Sequence, residues 1–401
     1  MNEKRVYHTS SKVFLVEYVV FAFLYTIFGE KVMEFSEEFP TIEKHLIEQA
    51  QRMRMPVHGS IELLPLCNMN CDMCYVRLSK EEMERQGRLH TAEEWLDIAE
   101  QMVKSGVLFL LLTGGEPLLY PDFKYLYQKL KQMGMILTIN TNGTLIDEEW
   151  ADFFGRYKPR RINVTLYGAN NHTYEKMCHY PNGYEKAIRG IRLLKERGVD
   201  VKIGVSIINN NVEDLGQLLE LEKKLDTPVR VDTYMMPAIR ERQIPFDKQV
   251  RLGPAQAAGA RIRALRCEMG EQLFDEYVQH TLEEIEQGSR RKAIPQRMTC
   301  LAGSCSFSVN WQGRLHPCVI LTEPSADVFE LGFDSSWKYL REQIDKIYLN
   351  AACTSCNMRP LCRTCAACAL LEEGSFDAIP EYMCEYTKES LRLLKQIKCT
   401  E

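Results

Sequence analysis

The stretch Cys67-Asn-Met-Asn-Cys71-Asp-Met-Cys74-Tyr75 decides how the rest of the sequence is interpreted. Its three cysteines have the spacing C-x3-C-x2-C, and no fourth spaced cysteine follows nearby. Three thiolates can hold three irons of a 4Fe–4S cluster and leave the fourth iron open to a substrate or cofactor. A zinc knuckle or a chance cluster of cysteines is the alternative explanation of this spacing taken alone.

The bulk composition is that of a globular protein with many thiols. The chain has 401 residues, 45% of them hydrophobic and 26% charged, so we expect one large and one smaller domain. With a net charge of −5, the chain lacks the excess of positive charge that is typical of nucleic-acid-binding proteins. Twelve of the fifteen cysteines fall in two groups, and no cleavable signal peptide is evident. We therefore expect metal-bound thiolates in a cytoplasmic protein rather than a secreted disulfide framework.

An apolar segment near the N-terminus, Val13 to Phe28, resembles a membrane span only superficially. It is short for a span, and Glu17 interrupts it. We expect no membrane span here, but a helix that packs on the main domain or a docking surface for a partner.

Strand and helix patterns alternate from residue 58 to about residue 254, after a helical N-terminal extension at 1–57. Each strand pattern is followed by a helix pattern, which implies right-handed crossovers and a parallel sheet. The fold class is therefore α/β, an open, partial barrel of six β/α units, with active groups at the carboxyl ends of the strands. The predicted strands are Ser60–Leu64, Val107–Leu112, Met135–Asn140, Arg161–Leu166, Val201–Ile208 and Pro228–Tyr234.

Three unusual loops follow the first three predicted strands. The cysteine stretch follows the first, Thr113-Gly114-Gly115-Glu116-Pro117 the second, and Thr141-Asn142-Gly143-Thr144 the third. The two glycines let the backbone approach a ligand, and the Glu116 carboxylate could bind a ligand ammonium. Ordinary turns are the alternative, and Asn142 either lines the site or caps a turn.

This order of motifs resembles the radical S-adenosylmethionine (SAM) superfamily. The resemblance implies that Cys67, Cys71 and Cys74 hold a 4Fe–4S cluster whose open iron chelates SAM. It also implies that Gly114, Gly115 and Glu116 bind the SAM amino group.

The resemblance extends to further SAM contacts, with one departure. Thr165 stands where the family usually has a Ser that binds the ribose or carboxylate, and Tyr75 matches an aromatic residue whose backbone meets adenine. Val205, with Ile207, is expected in the adenine wall or equally in the core. A helper Arg is expected near Met177, but only Lys176 is available there.

A second cysteine group follows a helical linker at 255–299 and a predicted hairpin turned at Gln312-Gly313. Residues 300–386 resemble the SPASM extension of radical SAM enzymes, and 387–401 form a C-terminal helix. The resemblance implies two auxiliary 4Fe–4S clusters. Cluster I would use Cys300, Cys305 and Cys318, with a fourth ligand from Cys365 or Cys368, where Cys368 is favoured slightly. Cluster II would use Cys353, Cys356, Cys362 and Cys384. Two structural zinc sites remain the alternative, while Cys178, Cys267 and Cys399 belong to no motif.

The resemblance implies an oxidoreductase that cleaves SAM reductively and uses the resulting 5′-deoxyadenosyl radical to abstract hydrogen from a substrate. We expect a ribosomally made precursor peptide as substrate, to be crosslinked or epimerised, and a flavodoxin or ferredoxin as electron donor. Val319, where sulfatase-maturating relatives have an Asp base, argues against that subfamily. The alternatives are a dehydrogenase or epimerase of a small molecule and a non-catalytic iron–sulfur or zinc scaffold.

Overall fold

A computed structural model describes residues 41–288, 293–298 and 300–398. The apolar segment Val13–Phe28 lies outside these residues. In the described part of the chain, no helix is long and apolar enough to cross a membrane. The strands are β1 His58–Glu62, β2 Phe109–Thr113, β3 Ile136–Thr141, β4 Arg161–Leu166, β5 Val201–Ser206, β6 Val229–Asp232, β7 Gln296–Arg297, β8 Ser306–Val309, β9 Arg314–His316, β10 Ala326–Asp327 and β11 Tyr348–Leu349.

The helices alternate with the first six strands and then dominate the C-terminal half. They are α1 Thr41–Met53, α2 Lys80–Gln86, α3 Ala92–Lys104, α4 Phe123–Gln132, α5 Glu148–Arg156, α6 Asn171–Cys178, α7 Gly183–Glu196, α8 Leu215–Leu225, α9 Pro254–Met269, α10 Glu271–Gln287, α11 Val328–Leu331, α12 Phe333–Ile344, α13 Ala351–Thr354, α14 Ala366–Glu373 and α15 Glu381–Lys398.

The central sheet confirms the predicted α/β class. Strands β1 to β6 pair in sequence order, and every pair is parallel. Helix α3 illustrates how the sequence builds each crossover. The Thr91 hydroxyl accepts from the Glu94 amide while the Glu94 carboxylate accepts from the Thr91 amide, which caps the helix start. The apolar face of α3 then buries Trp95, Ile98 and Met102 against the sheet.

The alternation of side chains along β3 to β6 separates two faces. Leu137, Val164, Ile203 and Val205 are buried in the main core with residues of α7 such as Leu194. The opposite side chains form what we call the inner face, and register pairs align them across the strands. The inner face consists of Thr138, Asn140, Asn163, Thr165, Lys202, Gly204, Ser206, Arg230 and Asp232. Its polar composition is suited to a ligand chamber rather than a packed core.

The cysteine-rich C-terminal part joins the same sheet, which the sequence did not predict. Strand β8 pairs in parallel with β1, and β9 and β10 extend the sheet in antiparallel fashion. Gly59 permits the close approach, since a Cβ there would lie 2.4 Å from the Phe307 ring. The Ser60 and Ser308 hydroxyls are hydrogen-bonded across the strands at 2.9 Å. Nine strands thus form one sheet, and the other two, β7 and β11, pair in a separate antiparallel sheet.

His58, the first residue of β1, makes folding sensitive to acid. Its ring stacks on Phe109 with centroids 4.5 Å apart, and burial, with the nearby Arg160 charge, lowers its pKa to about 4. Because this folded-state pKa lies below the unfolded value, the stabilisation is present above pH 6.5 and lost as the pH falls towards 4. Between pH 7 and 4, the free energy of unfolding of His58→Phe should fall by up to about 3 kcal/mol less than that of the wild type, as measured by urea unfolding. His172→Phe, at an exposed position, should keep the wild-type pH dependence.

Candidate iron–sulfur and cofactor site

The loops after β1, β2 and β3 meet at one rim of the sheet. The Gly115 amide donates to the Leu64 carbonyl at 2.7 Å, and the Glu116 amide donates to the Leu66 carbonyl at 2.9 Å. A Cβ on Gly114 or Gly115 would lie within 2.5 Å of these backbone carbonyls. The glycines therefore let the second loop approach the base of the cysteine loop, whereas the sequence had suggested an approach to a ligand.

The cysteine loop brings Cys67, Cys71 and Cys74 together as predicted by their spacing. Burial raises the pKa of Cys67 to about 12, and the neighbouring Glu116, Cys71 and Cys74 charges add to this effect. Backbone amides of Met69 and Arg77 donate to the sulfurs of Cys67 and Cys74 at 3.4 and 3.3 Å. Buried thiols of this kind ionise when a bound cation replaces their protons. Three such thiols, with amide donors on two of them, fit a three-ligand iron–sulfur cluster.

A fourth thiol, which the sequence analysis left without a role, lies beside this group. Cys178 is fully buried, and its carbonyl accepts from the Asn70 amide at 3.0 Å. A hydrogen bond with the Cys178 thiol, followed by burial, holds the pKa of Cys71 well above its usual value. All four thiols also contribute to raising the pKa of the partly buried Tyr167, after desolvation of its hydroxyl. No sequence signal indicated this contact, because Cys178 reaches the loop only through the packing of α6.

Glu116 is more enclosed than a ligand-binding carboxylate was expected to be. It has no exposed surface, and it accepts from the Thr141 hydroxyl at 2.8 Å, the Asn142 amide at 2.8 Å and the Leu118 amide at 3.1 Å. Burial raises its pKa to about 7 even though these hydrogen bonds favour the ionised form. The carboxylate therefore fastens the third loop to the second.

Asn142 lies directly beside the cysteine loop. Its side-chain nitrogen Nδ2 donates to the Asn68 side-chain oxygen at 2.8 Å and is 3.8 Å from the Cys67 sulfur. Its own oxygen accepts from the amide and the hydroxyl of Thr144 at 2.9 and 2.7 Å. The sequence left Asn142 either lining the site or capping a turn. In the structure it closes the turn through Thr144 and lies beside the cysteine loop.

The expected nucleoside contacts are divided between the two faces of the sheet. Thr165 lies on the inner face and is partly exposed, in register with Gly204. Val205 is in register with Leu166, is 2% exposed and packs into the main core. Since the Val205 side chain lies on the face opposite Thr165, the two cannot line one pocket. Ile207 is likewise fully buried in that core.

The positively charged side chain beside the cysteine loop is that of Arg242, which belongs to none of the sequence motifs. Lys176 is exposed, and Met177 is fully buried, where its carbonyl accepts from the Asp72 amide. Arg242 instead donates from Nη1 to the Cys71 carbonyl at 2.8 Å, and its amide donates to the Tyr75 carbonyl at 3.1 Å. The backbone of Tyr75 is therefore engaged by this segment.

Arg240, two residues before Arg242, connects the cysteine loop to the C-terminal hairpin. Arg240 forms a two-point ion pair with the buried Glu62 at 3.0 and 2.7 Å and lies over the Tyr75 ring. It also donates to the Val319 carbonyl at 2.9 Å, one residue after Cys318. Arg240 is thus a structural residue that joins the cysteine loop to the C-terminal hairpin.

The predicted auxiliary ligands fall into two spatial groups, with one exception. Cys365 and Cys318 lie close enough to Cys300 for their charges to act on its thiol. Cys305 is fully buried elsewhere, in an apolar cluster with Ala50, Val57 and Phe109. The structure therefore brings Cys300, Cys318 and Cys365 together and places Cys305 apart from them.

The second group forms a cavity at the start of α15. Cys353, Cys356, Cys362 and Cys384 line it together with six other residues, which are Met358, Arg359, Thr364, Pro380, Met383 and Thr387. The charges of Cys362, Cys384 and Cys356 raise the pKa of Cys353, after burial. Four thiols around one cavity fit the donor set of a 4Fe–4S cluster. Among the described side chains, no three metal-binding groups converge on a single-ion site.

The structure distinguishes the two thiols that the sequence left as alternatives. Cys365 lies beside Cys300 and Cys318, and its sulfur accepts from the Cys368 amide at 3.4 Å. Cys368 is fully buried, and its sulfur is 3.1 Å from the Tyr234 hydroxyl, which donates to Glu372 at 2.9 Å. The geometry therefore favours Cys365 over Cys368 as the thiol that joins Cys300 and Cys318.

Replacing these two cysteines should separate their roles. We expect Cys365→Ala to lose about one cluster's worth of iron, because a cluster rarely survives the loss of a thiolate ligand. Cys368→Ala should keep the wild-type iron content and lose only a hydrogen bond. Iron and sulfide assays on anaerobically reconstituted protein measure the difference. Equal losses in both variants would contradict the assignment.

Comparison with known proteins shows what this chain is similar to. A family model described as the Radical SAM superfamily matches residues 61–221. The AdoMet-dependent heme synthase of Methanosarcina barkeri is 25% identical over 79% of this chain and 92% of its own length. The subtilosin biosynthesis protein AlbA of Bacillus subtilis is 24% identical over 66% of this chain, which spans 55% of that relative.

Solved structures support the fold. Streptococcus suis SuiB bound to its precursor peptide SuiA has a TM-score of 0.61 at 17% identity, covering 87% of this chain and 82% of that one. The anSMEcpe protein with bound AdoMet has a TM-score of 0.62 at 17% identity, covering 86% and 96%. The fold shared with these two proteins includes the cysteine-rich C-terminal part.

Proposed function

Because this chain belongs to the radical SAM superfamily and has the fold of its SPASM-type members, we propose that it modifies a peptide by hydrogen abstraction. The observation that carries the proposal is the group of Cys67, Cys71 and Cys74 at the rim, beside Asn142 and Glu116. These three thiols would hold a 4Fe–4S cluster. When bound together, cluster and SAM supply a 5′-deoxyadenosyl radical that removes hydrogen from an unactivated C–H bond.

The residues of this chain would hold and orient the cofactors. Asn142 and Thr165 lie where they could reach a ligand on the rim, and Gly114, Gly115, Glu116 and Tyr75 support the loops around it. Val205 would contribute only from the core. The enclosing loops would exclude water from the reacting centre, which protects a radical from stray hydrogen donors.

The C-terminal thiols would hold two auxiliary 4Fe–4S clusters. One set consists of Cys300, Cys318 and Cys365, and Cys305 would have to move to join it. The other set consists of Cys353, Cys356, Cys362 and Cys384. Arg240 links the first set to the SAM loop, which would hold both centres in a constant geometry. A flavodoxin or ferredoxin in the cytoplasm would supply the electron.

The peptide substrate is supported by relatives with that role in their names. AlbA takes part in bacteriocin biosynthesis, another relative is the PqqA peptide cyclase of Granulibacter bethesdensis, and SuiB was solved with its precursor peptide. A crosslink in a ribosomally made peptide would remove two hydrogens, and an epimerisation would leave the mass unchanged. A small-molecule substrate is the second candidate, favoured by the heme synthase that matches over 92% of its length.

Two experiments test the proposal. Anaerobic holoenzyme with dithionite should release 5′-deoxyadenosine from SAM, and failure to do so would favour a non-catalytic metal scaffold. Co-expression with candidate precursor peptides, followed by mass spectrometry and chiral amino-acid analysis, should then reveal a loss of two hydrogens or a D-residue. Unmodified peptides together with turnover of a tetrapyrrole would support the small-molecule candidate.

A further inference from the structure

The inner face leaves an open space at the level of Thr165. The register aligns Thr165, Gly204 and Arg230 on three neighbouring strands, and Ser206 with Asp232 one step closer to the rim. A Cβ added to Gly204 would meet no atom within 4 Å. A ligand group could therefore lie over Gly204, between Thr165 and Arg230.

Positive charge is concentrated around this space. Lys202 and Arg230 lie on the inner face, and Arg261 and Arg363 act electrostatically on Asp232 from the neighbouring C-terminal elements. Glu268 pairs with Arg261 at 3.1 Å, and Asp232 pairs with Arg230 at 3.3 Å. The nearby Arg161 is balanced by its ion pair with Asp200. On the inner face itself, the two cations Lys202 and Arg230 stand against one carboxylate, Asp232, which leaves an excess of one positive charge.

Two of these cations are incompletely satisfied by the protein. The Nε of Arg230 is buried and has no hydrogen-bond partner among the described residues, while its side chain as a whole is 34% exposed. Burial, with the Arg230 and Arg161 charges, lowers the pKa of Lys202 to about 8. Gathering like charges at a partly buried position is unfavourable unless an anion completes the site.

We propose that the space over Gly204 binds a carboxylate of the substrate, held by Arg230 and Lys202. The inference rests on the proposed function and specifies its substrate class. The planar guanidinium of Arg230 matches the geometry of a carboxylate, and the ammonium of Lys202 adds a point charge at its side. Such a carboxylate could belong to an acidic peptide side chain or to a propionate of a tetrapyrrole.

Binding to the anaerobic holoenzyme in the presence of SAM tests the site, with fluorescence quenching as the readout. The probes are coproporphyrin III with its tetramethyl ester, and a hexapeptide alternating Glu and Ala with its Gln counterpart. We expect at least one acid to bind more tightly than its neutral counterpart. Arg230→Met and Lys202→Met should each lower the affinity for that acid by about tenfold or more, as expected for a charge-assisted contact.

Matched controls separate this site from loss of folding or of SAM chemistry. Arg192→Met removes one positive charge from an exposed position on α7 and should bind the acid as the wild type does. Arg192→Met should also retain SAM binding and 5′-deoxyadenosine release. A wild-type holoenzyme that releases no 5′-deoxyadenosine would show a failure of the proposed function separately from a failure of this site. Equal binding of acid and neutral probes, binding of neither acid, or no effect of Arg230→Met and Lys202→Met would overturn the proposal. The acid that binds identifies the source of the carboxylate.

Discussion

Cys71→Ala will abolish reductive cleavage of SAM while leaving the iron held by the C-terminal cysteines in place. The thiols of Cys67, Cys71 and Cys74 share one loop, whereas the C-terminal thiols form separate groups. If three clusters are bound, we expect a loss of about a third of the iron. 5′-Deoxyadenosine formation with dithionite should fall to the level of cluster-free protein. Cleavage at the wild-type rate would refute the assignment of this loop.

Cys178→Ala is the matched control for that variant. Cys178 is buried against Cys71 but lies outside the three-cysteine motif. We expect this variant to keep its iron and to cleave SAM, because three thiolates are sufficient for a cluster with one open iron. Loss of the cluster in Cys178→Ala would mean that a fourth thiol occupies the position where SAM should bind.

Arg240→Met will destabilise the protein by about 3–5 kcal/mol, because it leaves the Glu62 carboxylate buried without its partner. The Arg240 and Glu62 side chains are only 7% and 2% exposed. The substitution also removes the hydrogen bond to Val319 that connects β1 to the C-terminal hairpin. Urea unfolding of anaerobic holoenzyme, followed by circular dichroism, measures the loss.

Two further variants show whether the effect comes from the buried charge. Replacing both partners, in Glu62→Leu with Arg240→Met, should recover part of the loss, because the Glu62 charge is removed and only the Glu241 carboxylate, which also pairs with Arg240 at 2.7 Å, is left without its partner. The exposed pair of Arg189 with Glu148 provides the comparison, since both side chains are more than half exposed. Arg189→Met should change stability by less than about 1 kcal/mol. A similar loss in both single variants would argue against the buried pair as the origin.

The sequence was sufficient to predict the parallel strands and the rim loops. Apolar runs such as Val107–Leu112 and the capping of α3 at Thr91 act locally, so the order of elements follows from short stretches of residues. Because parallel strands have their carboxyl ends at one edge, the cysteine loop, Glu116 and Asn142 had to meet there. The spacing of Cys67, Cys71 and Cys74 could also be interpreted without knowing the fold.

Only the tertiary structure decided the contacts between distant parts of the chain. The pairing of β8 with β1, the ion pair of Arg240 with Glu62 and the approach of Cys178 to Cys71 each join residues more than 100 positions apart. Packing also decided that Cys365 lies beside Cys300 and Cys318 and that Cys305 does not, although the sequence places Cys305 much nearer to Cys300. Sequence spacing constrains a side chain only within its own loop or helix. Partners across the fold are selected by packing and charge, which become defined when the whole sheet has formed.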